Sequence, residues 1–169
     1  GPEGSAYLVE SPDVPAISFT GSTGTGRAIG AVGAKRMKRF GMELGGKTPM
    51  ILFDDADIDA ALPVIEKALT VFSGQFCMTG SRLLVQDGIF EWVRDTLARQ
   101  LDDVKVGPAR DPSSDMGPLI DRENVLRVDQ VVKNAIAEGA HVVVRGGPVS
   151  VGPLSKGAFF RPALLEITD

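Results

Sequence analysis

Val14-Pro15-Ala16-Ile17-Ser18-Phe19-Thr20-Gly21-Ser22-Thr23-Gly24-Thr25-Gly26 is the stretch on which the fold turns. Residues 14–19 form a short β-prone run, and it breaks into hydroxyl residues and glycines that mark a turn. Residues 27–39 then carry the composition of a helix. Strand, glycine-rich turn and helix in that order are the repeating half of an α/β layer.

The same alternation continues outward. Residues 44–47 read as a second turn, and residues 48–53 are apolar enough for a buried strand. Asp55 or Asp57 can cap a helix with Ile58, Leu62, Ile65 and Leu69 on one face, which leads to the only cysteine, Cys77. Residues 81–86 read as a strand, and Phe90, Val93, Leu97 and Leu101 give the next helix its stripe. Residues 104–106 predict a short strand before a proline-rich loop over 107–118. Asp121 caps a helix bearing Val125, Val128, Val132 and Ile136, stopped by Gly139. Residues 141–145 are a β-branched strand, and residues 146–157 read as an exposed loop. The pattern predicts an α/β fold with a mostly parallel sheet and helices on its faces.

Composition narrows the function classes. Of 169 residues, 43% are apolar, which is enough to bury a core. A net charge of −4 offers no basic field for a phosphate backbone, so no nucleic-acid partner is expected. The one basic cluster, Lys35-Arg36-Met37-Lys38-Arg39, reads as cations complementing a helix C-terminus. A single cysteine forms no internal disulfide, and one histidine with one cysteine gives no zinc-ligand spacing, so no metal is expected. No run approaches the roughly 18 apolar residues of a membrane span. A cytoplasmic protein with no membrane partner is the expectation.

Three segments carry chemistry. Residues 21–26 follow a strand and open a helix, where backbone N–H groups and the helix dipole can hold a phosphate; a plain strand-to-helix turn would look the same. It lacks the P-loop lysine, since Arg27-Ala28 stands in its place. Ser73-Gly74-Gln75-Phe76-Cys77 places the thiol in a polar turn rather than a packed helix, although a lone cysteine is commonly just a small buried residue. A thiolate there can attack a carbonyl. Met42-Glu43-Leu44-Gly45-Gly46-Lys47 places a carboxylate between apolar neighbours, an arrangement expected to raise its pKa toward that of a base for water.

The last two segments together resemble the aldehyde dehydrogenase family, whose general-base motif reads Glu-Leu-Gly-Gly-Lys and whose nucleophile sits in Gly-Gln-x-Cys. They are preceded by Phe19-Thr20-Gly21-Ser22 and followed by Met116-Gly117-Pro118-Leu119-Ile120, in the family's order. The resemblance covers nearly the whole chain. It implies a partial Rossmann-like aldehyde dehydrogenase fold, with residues 1–44 ending a coenzyme-binding domain and residues 45–169 beginning the catalytic domain. It further implies oxidation of an aldehyde to a carboxylic acid with NAD or NADP through a thiohemiacetal and a thioester.

In that reading Cys77 is the nucleophile and Glu43 the general base. Gly21, Ser22, Thr23, Gly24, Thr25 and Gly26 face the cofactor, Leu44 lies near the nicotinamide through its backbone, and a small-molecule aldehyde is the substrate of a homo-oligomer. The resemblance also implies a longer parent protein, with the isolated 169 residues carrying little or no activity. The 116–120 motif brings no acid, base or nucleophile and reads as a loop lock. Two alternatives stay open: a thiol hydrolase or acyltransferase pairing Cys77 with His141, and a non-catalytic nucleotide-binding or interaction module.

Overall fold

A computed structural model describes residues 2–167. The chain divides into two compact units, Gly1–Gly46 and Lys47–Asp169.

The first unit contains helix α1 (Pro2–Glu10), strand β1 (Ala16–Gly21), helix α2 (Thr23–Ala34) and strand β2 (Arg39–Leu44). β1 and β2 run parallel, with Ala16 opposite Arg39 and Gly21 opposite Leu44. Helix α2 starts at Thr23, four residues before the expected Arg27. The cause is local: Ser22 is extended (φ −69°, ψ 147°) and its hydroxyl accepts the Thr25 N–H at 3.1 Å, so the glycine-rich segment becomes the first helical turn.

The basic cluster also departs from expectation. The helix ends at Ala34, and Lys38 turns inward, only 8% exposed, to donate from Nζ to the Ser11 and Val14 carbonyls at 2.6 Å each. Lys38 therefore fastens the chain entering β1 to the start of β2, and Arg39 belongs to the strand rather than to a helix end. Among the described residues of this unit, the buried ones are Gly26, Gly33 and Lys38, so it holds no fully buried apolar side chain.

The second unit carries the core. It comprises β3 (Thr48–Leu52), α3 (Ile58–Thr70), β4 (Gly80–Val85), α4 (Asp87–Asp103), α5 (Arg122–Ala137), β5 (His141–Val144), β6 (Gly147–Pro148), β7 (Phe160–Arg161) and β8 (Leu164–Glu166). Asp57 caps α3 by accepting the Ala60 N–H at 3.1 Å, and Asp121 caps α5 by accepting the Asn124 N–H at 2.7 Å. The expected stripes meet: Ile58, Leu62 and Ile65 of α3 and Val93, Leu97 and Leu101 of α4 form one cluster with Leu52. A second cluster joins Val125 and Val132 of α5 to Leu119 and Phe160.

The strands pair differently from the expected mostly parallel sheet. β1–β2 and β3–β4 are parallel ladders, whereas β5–β8 and β6–β7 are antiparallel. Parallel pairing needs a crossover element, which α2 and α3 supply; the segment returning from β5 to β8 contains no α-helix, so those strands run in opposite directions. Residues 104–106 form only an isolated bridge, Val106 to Met116. Residues 48–53 are not the buried strand expected, since Ile51 and Phe53 are 63% and 60% exposed. The 146–157 loop contains β6 and a 3-10 turn, Pro153–Lys156. Gly146 makes the bend at φ 54°, where an added Cβ would run into the Pro162 carbonyl.

Candidate functional site

In the first unit the expected cofactor residues converge at the carboxyl ends of two parallel strands, where open α/β sheets bind ligands. The register sets Thr20 beside Glu43 and Gly21 beside Leu44. Helix α2 begins at the same end. Its Ser22 cap takes the Thr25 N–H, and the Ser22 and Thr25 hydroxyls lie 2.9 Å apart. The N–H groups of Thr23 and Gly24 have no acceptor among the described residues, so two first-turn donors remain for an anion.

Gly26 is buried beneath the Leu44 side chain, and a Cβ there would stand 2.6 Å from Leu44 Cδ2. Leu44 itself is 39% exposed. The Glu43 side chain is also exposed, so this unit alone does not build the apolar enclosure that Met42 and Leu44 led us to expect around it.

In the second unit Cys77 is an exposed free thiol in the turn between α3 and β4. The chain reaches it through a 3-10 turn, Val71–Gly74, whose backbone is left-handed at Phe72 (φ 47°), Ser73 (φ 58°) and Gly74 (φ 72°). Left-handed geometry costs a non-glycine residue about 1–2 kcal/mol, so two such residues in succession require an external hold.

The hold is visible. Ser73 Oγ donates to the Gly117 carbonyl at 2.8 Å and to the Pro118 carbonyl at 3.3 Å. Gln75 Oε1 accepts the Ile120 N–H at 2.9 Å, while its Nε2 donates to the Phe72 carbonyl at 3.1 Å. The Met116-Gly117-Pro118-Leu119-Ile120 motif thus locks the cysteine turn, and it is itself anchored by buried Met116 and by buried Leu119, which packs with Val125, Val132 and Phe160. Composition marked Ser73 and Gln75 only as turn residues; their anchoring partners lie more than forty positions away and leave no local signal.

His141 sits exposed on β5 opposite Glu166. Among the described residues no hydrogen bond joins it to Cys77, which leaves the hydrolase pairing without structural support. Two cavities in this unit, of about 510 and 540 Å³, are not lined by Cys77. Among the described residues no group of three or more His, Cys, Asp or Glu side chains is set to hold a metal ion, and no helix is long and apolar enough to cross a membrane.

The clearest ionic feature is structural. Asp129 on α5 is 8% exposed and meets Lys133 at 2.6 Å and Arg145 at 3.2 Å. The Lys133 hydrogen bond, with help from Arg145, holds its carboxyl below the usual carboxylate range against the opposing effect of burial.

Comparison with known proteins places this geometry. The model of the family described as "Aldehyde dehydrogenase family" matches residues 1–169. Among curated relatives, the betaine aldehyde dehydrogenase of Cereibacter sphaeroides is 38% identical over 165 residues, covering 97% of this chain and 33% of that protein. The mitochondrial succinate-semialdehyde dehydrogenase of Oryza sativa subsp. japonica is 36% identical over 164 residues, covering 97% of this chain and 30% of that protein. The chain thus spans about a third of the length of the relatives it matches.

Among solved structures, a double mutant of betaine aldehyde dehydrogenase from Staphylococcus aureus in complex with NAD+ superposes with a TM-score of 0.93 at 33% identity, covering 98% of this chain and 33% of that one. An apo form of the same enzyme gives 0.93 at 34% identity, covering 99% of this chain and 33% of that one. The α/β arrangement seen here is accordingly a partial aldehyde dehydrogenase fold. With residues 1–169 matched by the family's model and the chain superposing on a third of a member's structure, the chain belongs to the aldehyde dehydrogenase family.

Proposed function

We propose that the native product carrying this chain oxidises a small-molecule aldehyde to its carboxylic acid with NAD+ or NADP+. The observation that carries the reading is an exposed thiol on a strained turn that the surrounding structure holds in place. Backbone strain of this kind clusters where a group is pre-organised for chemistry.

The Cys77 thiolate adds to the aldehyde carbon, forming a C–S bond and leaving the former carbonyl oxygen negative. The Cys77 backbone N–H is the proposed donor to that oxygen. NAD+ or NADP+, when bound, supplies the acceptor for the hydride that must leave the same carbon. What remains on Cys77 is a thioester. Glu43 takes a proton from water as the water oxygen attacks the thioester carbon; the C–S bond breaks, releasing the acid and restoring the thiolate.

The residues proposed to hold the dinucleotide are Gly21, Ser22, Thr23, Gly24, Thr25, Gly26 and Leu44. Two free first-turn N–H groups suit an anionic ligand, and the neighbouring glycines present little side-chain bulk to it. A homo-oligomer in the cytoplasm is part of the same proposal.

A Cys77→Ser variant of the native product tests the reading. It should lose nearly all aldehyde-dependent nucleotide reduction while binding nucleotide as before. Unchanged turnover would refute the nucleophile assignment, and nucleotide binding without turnover in the unaltered product would instead favour the non-catalytic module.

A further inference from the structure

Residues 71–79 connect α3 to β4, and the bonds they make to one another are short in range. Gln75 N–H donates to Phe72 O, and Thr79 N–H donates to Phe76 O. Among the described residues, the hydrogen bonds that leave this segment for a distant part of the chain belong to Ser73 and Gln75, and both end on Gly117, Pro118 and Ile120. That receiving segment is itself fixed. Met116 and Leu119 are 7% and 8% exposed, Met116 N–H donates to Lys105 O, and Leu119 N–H donates to Ala158 O.

We propose that Gln75, assisted by Ser73, is a positioning residue for Cys77, clamping the strained cysteine turn to the rigid 116–120 segment. The inference rests on the reading of Cys77 as nucleophile. Two features separate it from generic loop stabilisation. Gln75 lies two residues from the thiol, so its side-chain bond fixes the rotation of the peptide segment that aims the sulfur. Gln75 Oε1 and Ser73 Oγ also bracket the left-handed Gly74, so releasing either lets Phe72 and Ser73 relax toward ordinary dihedrals and carries Cys77 with them. A displacement near 1 Å costs on the order of a hundredfold in a positioned reaction.

The test uses three variants of the native product, each assayed for kcat, nucleotide KM and thermal midpoint. Gln75→Met removes both hydrogen bonds at similar volume. It should lower kcat by about tenfold or more, by the same positioning argument, while nucleotide KM stays within about twofold. Gln75→Glu keeps the acceptor for the Ile120 N–H and should recover most of that loss. Ser73→Ala, which retains the turn's backbone chemistry, should lower kcat in the same direction and serves if Gln75→Met does not fold.

A merely structural role would move the thermal midpoint without this kcat-specific loss and its rescue. Gln75→Met and Ser73→Ala at wild-type kcat, beside an inactive Cys77→Ser, would overturn the positioning role alone. An active Cys77→Ser would overturn the nucleophile reading and this inference together.

Discussion

Replacing Gly26 by alanine separates its packing against Leu44 from its proposed part in holding the dinucleotide. An alanine Cβ would stand 2.6 Å from Leu44 Cδ2 and 3.2 Å from Cδ1, against ordinary carbon contacts of about 3.5–4.0 Å, so the Leu44 tip must withdraw by about 1 Å. It has somewhere to go, because Leu44 is 39% exposed. Bending the side chain off its rotamer costs about 0.5–1.5 kcal/mol. Alanine in place of glycine inside α2 returns about 0.8–1.0 kcal/mol of helix propensity. The two nearly cancel, so stability should stay within about 1 kcal/mol of wild type.

Nucleotide affinity should not be spared, because Gly26 and the Leu44 backbone are both proposed to hold the dinucleotide and the added methyl crowds the two together. A displacement worth up to about 1.4 kcal/mol raises nucleotide KM by as much as about tenfold. The assay is steady-state turnover of the native product with nucleotide varied, beside a thermal melt. Nucleotide KM within twofold of wild type at an unchanged melt would remove Gly26 and Leu44 from the cofactor site. A loss of stability well above 2 kcal/mol would show that Leu44 cannot yield, contradicting the cancellation.

Two other outcomes follow from the same geometry. Glu43→Gln should still permit formation of the thioester but slow its hydrolysis, giving a burst of nucleotide reduction near one equivalent per Cys77 followed by a steady state lowered at least about tenfold, since general-base assistance supplies about 10²–10⁴; a linear progress curve at wild-type rate would exclude Glu43 as the base. Asp129→Asn should cost about 1 kcal/mol near pH 7, because Lys133 and Arg145 are themselves largely exposed and screened. Since the folded-state Asp129 pKa is depressed, its stabilisation is present above the ordinary aspartate value near 3.9 and is lost as pH falls through the folded value. Urea midpoints of the wild type and the Asp129→Asn variant should therefore differ at pH 7 and draw together as pH falls below the ordinary aspartate value and through the depressed folded value; a gap that does not shrink as acid is added would refute the ion-pair account.

Much of this protein could be read from one dimension because the controlling forces were local. The helix faces of α3, α4 and α5 follow from apolar spacing, and the starts of α3 and α5 at Asp57 and Asp121 follow from side chains that reach the N–H groups three residues on. The family, too, was legible, because Glu43, Cys77 and the 116–120 segment occur in motifs and in order. The sequence carried no comparable signal for helix α1, or for the two-residue ladder of β6 and β7, which is too short to show alternation.

Other features needed the folded chain, and in each case the reason is that a partner distant in sequence supplies the free energy. Lys38 is drawn inward by carbonyls of Ser11 and Val14, more than twenty positions away, instead of complementing a helix end. Phe72 and Ser73 take a left-handed backbone that neither residue favours, because Gly117, Pro118 and Ile120 receive their turn. Residue order alone names the side chains with the chemistry to be nucleophile and base and the glycine-rich turn whose backbone can cradle a phosphate, and it shows where the amphipathic helices run. Folding selects which side chains hold Cys77 in place, because hydrogen bonds between segments more than forty residues apart exist only once the chain has brought them together.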